Sequence, residues 1–125
     1  LRGAGWMPPE KGRILMSIAD SQKAESMSTA AQFTSLGWKV DATSGTSEYL
    51  SKWGIEVNTV PQEELVERLR KGDWDLVLNI PGGNERHIMH GAELRRSASA
   101  AGVPCLHSMA AAWAVANSLS KRQRV

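Results

Sequence analysis

Thr43, Ser44, Gly45 and Thr46 stand together in the stretch ATSGTSEYL, between an apolar strand-like segment and a helix-like one. Hydroxyls and a glycine at such a junction can hold an anion. Backbone N–H groups at a helix start lack intrahelical acceptors, and the helix dipole adds positive potential there. Glycine lets a phosphate or carboxylate approach the backbone closely. The same residue types also make ordinary N-caps and turns, which is the competing reading. Lys23 falls in the first turn of another predicted helix, where the dipole disfavours a cation. It is therefore either a charge supplied to an anion or a plain solvated lysine.

A second stretch, NIPGGNERHIMHG, runs from Asn79 to Gly91. Asn79 is polar at the end of an apolar strand and well placed to hydrogen-bond a ligand. Pro81, Gly82 and Gly83 open a loop with little side-chain bulk. His87 and His90 have the i,i+3 spacing of helical metal ligands, but no third ligand and no H-E-x-x-H motif accompany them. No metal site is expected. Arg95 and Arg96 follow in ELRRSA, and either a ligand or plain solvent would suit them.

Catalytic inventory is thin. Carboxylates are scarce at the predicted strand ends: Asp20 is the main candidate, with Glu48 and Glu85 nearby in the loops, and His87, His90 and His107 are the candidate bases. General acid–base work needs such a group within hydrogen-bond reach of a substrate. There is no G-x-S-x-G elbow, Walker A loop or G-x-G-x-x-G fingerprint. A binding module fits these residues better than an enzyme.

The elements that would position them alternate. Apolar runs at 13–19, 38–42, 55–60, 74–80 and 103–108 read as strands. Helical patterns lie between them, with Gly37, Gly54, Gly72 and Gly102 as stops. In the first helix Ala24, Met27, Ala31 and Leu36 recur at helical spacing, with Ala30 and Phe33 widening the face, and Asp20 or Ser21 is the expected cap. A short helix is expected around 47–53, one over 63–71 with Arg68 facing water, one over 91–101, and a last one over 109–119. Continuous apolar strands alternating with helices predict an α/β fold, a three-layer αβα sandwich on a five-stranded, mostly parallel sheet. Ligands in such sheets sit beyond the carboxyl ends of the strands. That edge gathers Ala19 to Lys23, Thr43 to Thr46, Thr59 to Gln62, Asn79 to Asn84, and His107 to Met109.

The chain's 125 residues suit one domain with a real core. Its net charge of +2 comes without a continuous basic face, so no nucleic-acid partner is expected. No apolar run reaches the ~18 residues of a membrane span. The single cysteine, Cys105, reads as an inert core thiol and fits a reducing compartment. A cytoplasmic location is expected, with a mitochondrial one as the alternative.

Taken in order, KGRILMSIADSQK, WKVDATSGTSEYL, DLVLNIPGG and GAELRRSASAAGVP resemble the C-terminal regulatory domain of carbamoyl phosphate synthetase large chains, of the methylglyoxal-synthase-like, Rossmann-like fold. The resemblance spans about residues 12–119. It implies residues 1–11 as the tail of a preceding synthetase region, 12–120 as the domain and 121–125 as a basic tail. It implies an allosteric effector site for a uridine or inosine nucleotide, phosphoribosyl pyrophosphate or N-acetylglutamate. The anion would be held by Thr43, Ser44, Gly45, Thr46, Lys23 and Asn79, with Gly82 and Gly83 at the loop. Asp20, His87, His90, Arg95, Arg96, His107 and Ser108 are accessory candidates. The parent chain would make carbamoyl phosphate from bicarbonate, ammonia or glutamine and ATP with Mg or Mn, alongside its other synthetase domains and a glutaminase, in pyrimidine or arginine biosynthesis. This domain itself would need no cofactor and would not be catalytic. Two alternatives remain: a ligand-free domain that only packs on the synthetase core, and a triose-phosphate lyase of the methylglyoxal-synthase type.

Overall fold

The computed structural model of the chain describes residues 8–81 and 85–123, without the side chains of Asp20 and residues 85–90. Its elements run β1 (Arg13–Ile18), α1 (Lys23–Ser35), β2 (Lys39–Thr43), α2 (Ser44–Lys52), β3 (Asn58–Val60), α3 (Leu65–Arg70), β4 (Leu76–Ile80), α4 (Glu85–Ala101), β5 (Cys105–Leu106) and α5 (Met109–Gln123). Short 3-10 turns, Asp20–Gln22 and Gln62–Glu64, lead into α1 and α3. The strands form one sheet in the order β3-β2-β1-β4-β5, and every neighbouring pair is parallel. The α/β sandwich expected from the sequence is the fold observed.

Burial on both faces explains the apolar strands. Ile14, Met16 and Ile18 join Phe33, Leu50 and Leu119 in one core, between the sheet and α1, α2 and α5. Leu15 and Val77 join Leu69, Trp74 and Leu94 in the other, beneath α3 and α4. Fully burying one such side chain contributes about 1.5–3 kcal/mol. The four stop glycines all adopt φ between 75° and 89°, the left-handed cap conformation.

Several boundaries differ from those expected. The N-cap of α1 is Gln22, without a side-chain bond, so neither Asp20 nor Ser21 occupies the capping position. The buried face of α1 is Ser26, Thr29, Ala30 and Phe33, while Ala24 and Ala31 are exposed. Small polar residues are tolerated inside because their hydroxyls find partners: Ser26 Oγ donates to the Lys23 carbonyl one turn back and Thr29 Oγ1 to Met109 Sδ on α5. Helix α2 begins at Ser44, so Ser44, Gly45 and Thr46 form its first turn and not a loop before it. Helix α4 begins at Glu85, well before the expected start, and carries Gly91 inside it. Strands β3 and β5 are shorter than their apolar runs. Helix α5 continues through 121–123, residues expected in a tail.

That last extension is held by the lead-in. Arg122 Nη2 donates to the Pro8 carbonyl at 2.8 Å, and Gln123 Nε2 donates to the carbonyls of Glu10 at 3.3 Å and Leu36 at 3.1 Å. Trp38 Nε1 donates to the Glu10 carbonyl at 3.1 Å. Residues 8–10 are thus packed against the domain.

Arg68 does not face open water. Its Nε donates to Asp73 Oδ2 at 2.7 Å, and its Nη2 lies 3.4 Å from Asp41 Oδ2. Its guanidinium also stacks 4.8 Å over the Trp74 ring. Asp41 is 1% exposed and accepts bonds from Trp74 Nε1 at 2.8 Å and Asn58 Nδ2 at 3.1 Å. Arg13 Nε adds a second cation at 3.8 Å. Lying opposite Leu15 in the sheet, Asp41 faces the α3/α4 layer and is a structural anchor there.

Candidate functional site

Because all pairs are parallel, every strand delivers its carboxyl end to one edge. Strand β1 connects to β2 on one side and the chain later crosses to β4 on the other. The topological switch therefore lies between β1 and β4, where open parallel sheets bind ligands. Ala19 N–H donates to the Ile80 carbonyl at 2.8 Å, closing the sheet at this point. The chain then turns into Lys23 and α1.

Lys23 reaches sideways to the start of α2. A Cβ on Gly45 would stand 3.3 Å from Lys23 Nζ. The ammonium therefore lies against a backbone with no side chain in the way. Thr43, the N-cap of α2, is extended (φ −66°, ψ 160°) and makes no side-chain capping bond. Thr43 is half-buried, and Ser44 and Gly45 are exposed. The first-turn N–H groups of α2 have no intrahelical acceptors. The Lys23 ammonium and the first-turn amides of α2 thus lie together at the junction singled out in the sequence, with Thr43 as the N-cap.

Thr46 plays a different part. It is 1% exposed, and its Oγ1 accepts the Ile18 N–H at 3.0 Å and donates back to the Ile18 carbonyl at 3.5 Å. Its hydroxyl joins α2 to β1 and faces the core. Ser47 Oγ bonds Thr59 Oγ1 at 2.5 Å, joining α2 to β3 in the same way.

Asn79 is 2% exposed, and its Nδ2 donates to the Gly91 carbonyl at 3.5 Å. A Cβ on Gly91 would meet Asn79 Nδ2 at 3.1 Å and Arg95 Nη1 at 3.2 Å. That glycine lets α4 lie close on β4 and brings Arg95 beside Asn79. In the sequence Gly91 reads as an ordinary element boundary, and its part in the site is missed. A glycine inside a helical pattern is the available signal of close backbone approach.

Ser108 has a structural role. Its Oγ accepts the Ala111 N–H at 3.1 Å, capping α5. His107 is exposed just beyond β5, and Arg96 is exposed on α4. Gly82 and Gly83, and the side chains of Asp20, His87 and His90, lie outside the described residues. Cys105 is half-buried, not a core thiol. Burial pushes its pKa up to about 11, with the Arg95 guanidinium pulling the other way. A thiol so rarely ionised is a poor nucleophile. Among the described residues no three His, Cys, Asp or Glu side chains gather as metal ligands, and no helix is long and apolar enough to cross a membrane.

A family model described as the MGS-like domain matches residues 25–107. The carbamoyl phosphate synthase large chain of Thermoanaerobacter sp. (strain X514) is 36% identical over 121 residues, which is 97% of this chain and 11% of that protein. The large chain of Thermoanaerobacter pseudethanolicus matches equally, and that of Caldanaerobacter subterraneus subsp. tengcongensis is 35% identical over the same length. The chain thus spans about a tenth of the length of these curated relatives. A parallel five-stranded α/β fold, a family match over most of the chain and identity above a third across nearly all of it agree: this chain belongs to the MGS-like domain family, homologous to a part of carbamoyl phosphate synthase large chains.

Proposed function

We propose that this domain is the effector-binding regulatory module of a carbamoyl phosphate synthase large chain. A phosphate or carboxylate of the effector sits at the first turn of α2, against Ser44 and Gly45, with the Thr43 hydroxyl beside it and the Lys23 ammonium balancing its charge. The observation that carries this reading is the approach of Lys23 Nζ to Gly45 at the end of a helix. A charge-assisted hydrogen bond there contributes about 1.5–3 kcal/mol.

Regulation follows from differential affinity. An effector alters distant synthetase sites only by as much as it prefers one state of the whole protein over another. The parent would make carbamoyl phosphate from bicarbonate, ATP and ammonia delivered by a glutaminase, in the cytoplasm. The packing of residues 8–10 on α5 and Trp38 is where such a preference could pass toward a preceding region.

Titration calorimetry of the 125-residue chain with uridine nucleotides, phosphoribosyl pyrophosphate and N-acetylglutamate tests it. One class is expected to bind, with Lys23→Ala or Thr43→Ala weakening it roughly tenfold, as loss of about 1.4 kcal/mol implies. Absence of heat with all three overturns the proposal.

A second reading, a domain that only packs on the synthetase core, is favoured by one pair of facts. The Thr46 hydroxyl is spent on Ile18 and the Asn79 amide on Gly91, so two expected ligand contacts are made within the protein. The same titration separates the two readings.

A further inference from the structure

Between α4 and β5 lies a cavity of about 270 Å³, lined in part by Arg95, Ser99, Val103, Pro104, Cys105 and His107. We propose that this groove is a second ligand site, distinct from the first turn of α2, and that it takes a small monocarboxylate with a short apolar body.

Arg95 supplies the recognition. It is partly buried and forms no ion pair among the described residues. A partly buried guanidinium with no ion pair among the described residues keeps its donors available to an incoming anion. Its planar fork matches a carboxylate bidentately. Arg95 Nη1 and Asn79 Nδ2 are both just over 3 Å from the Cβ position of Gly91, so the guanidinium lies beside the Asn79 amide where α4 packs on β4.

Cys105 does not serve as the missing anion. With its pKa raised to about 11 by burial, the thiol is neutral at physiological pH and behaves as a small apolar wall. Val103 and Pro104, both buried, continue that wall and suit a short alkyl chain. Ser99 and His107 are exposed and frame the polar part of the lining. Ligand pockets for drug-sized molecules begin near ~300 Å³, so the occupant here is smaller. A dianionic phosphate would call for more positive charge than one arginine supplies.

The groove is remote from the α2 seat. Strand β5 is three places from β2 in the sheet. At the usual spacing that is roughly 14 Å. The proposal therefore stands apart from the effector reading.

The test is an NMR titration of the 15N-labelled chain with sodium butyrate and, separately, with inorganic phosphate. Butyrate is expected to shift the amides of Ser99, Val103, Cys105 and His107 saturably and to slow alkylation of Cys105 by iodoacetamide. Arg95→Gln should abolish both effects, and Arg95→Lys, which keeps the charge but not the fork, should weaken them. Should Arg95→Gln fail to fold, Arg95→Lys and the protection of Cys105 in the unaltered chain decide. The proposal is overturned if butyrate gives no saturable shift in the groove, if the shifts persist in Arg95→Gln, or if phosphate alone moves these amides. Shifts confined to Ser44 and Gly45 also overturn it while leaving the effector reading intact.

Discussion

The Lys23 ammonium stands 3.3 Å from the point that a Cβ on Gly45 would occupy. That contact is tighter than ordinary packing, but the end of a lysine can yield. Gly45→Ala should therefore leave the fold intact. Stability should rise slightly, because alanine is favoured over glycine in a helix by roughly 0.5–1 kcal/mol. Anion binding at α2 should fall, since the methyl displaces the ammonium and crowds the backbone. Thermal melts with and without the effector check both halves. A variant that gains stability yet binds as well as the parent would remove Gly45 from the site.

Thr46 should behave as a structural residue. Thr46→Val keeps the shape but leaves the Ile18 N–H without its side-chain acceptor in a buried place. Such a loss costs about 1–3 kcal/mol. Thr46→Ser should recover most of it. Urea unfolding midpoints measure the difference. If Thr46→Val unfolds with the parent while losing effector binding, its hydroxyl belongs to the ligand after all.

Asp41 anchors the opposite face. Removing its carboxylate in Asp41→Ala strands the Trp74 indole N–H and leaves Arg13 and Arg68 without a shared partner. Breaking a buried pair costs about 3–5 kcal/mol, and the low end applies because Arg68 keeps Asp73. Calorimetric melting should show a large drop, with the effector affinity of the surviving folded protein unchanged.

The thiol sets a pH signature. Because burial raises the Cys105 pKa from 9.0 to about 11, the folded state holds its proton where an unfolded chain releases it. The resulting contribution to stability is complete below pH 9 and is lost as pH climbs through about 11. Alkylation of the folded protein at pH 8 should run roughly 100-fold slower than that of the urea-unfolded chain, in proportion to thiolate. Equal rates would mean that Cys105 is open to water.

Much of the architecture is legible in the sequence because its signals are local. Ile14 to Ile18 and Leu76 to Ile80 are nearly continuous apolar runs, which only a strand covered on both faces requires. The stops at Gly37, Gly54, Gly72 and Gly102 follow from the left-handed turn that ends a helix. The junction at Thr43 to Thr46 stands out because hydroxyls and glycine at a strand-to-helix turn are a local pattern too. Helix starts are less legible. The buried face of α1 differs from the one its spacing predicts. Its alanines, serines and threonines differ little in hydrophobicity, and packing against α5 selects among them.

The sequence by itself determined the order of strands and helices, the parallel sheet, and which residues lie at the carboxyl ends of its strands. Those depend on periodicity and turn chemistry, which act over a few residues. The tertiary structure alone decided how each polar side chain is used. It turned the Thr46 hydroxyl onto Ile18, laid Lys23 against Gly45, and set Arg95 beside Asn79 and Cys105. Those partners lie tens of residues apart in the chain, or on separate elements. Their meeting depends on crossover geometry and core packing, which no short stretch of sequence encodes.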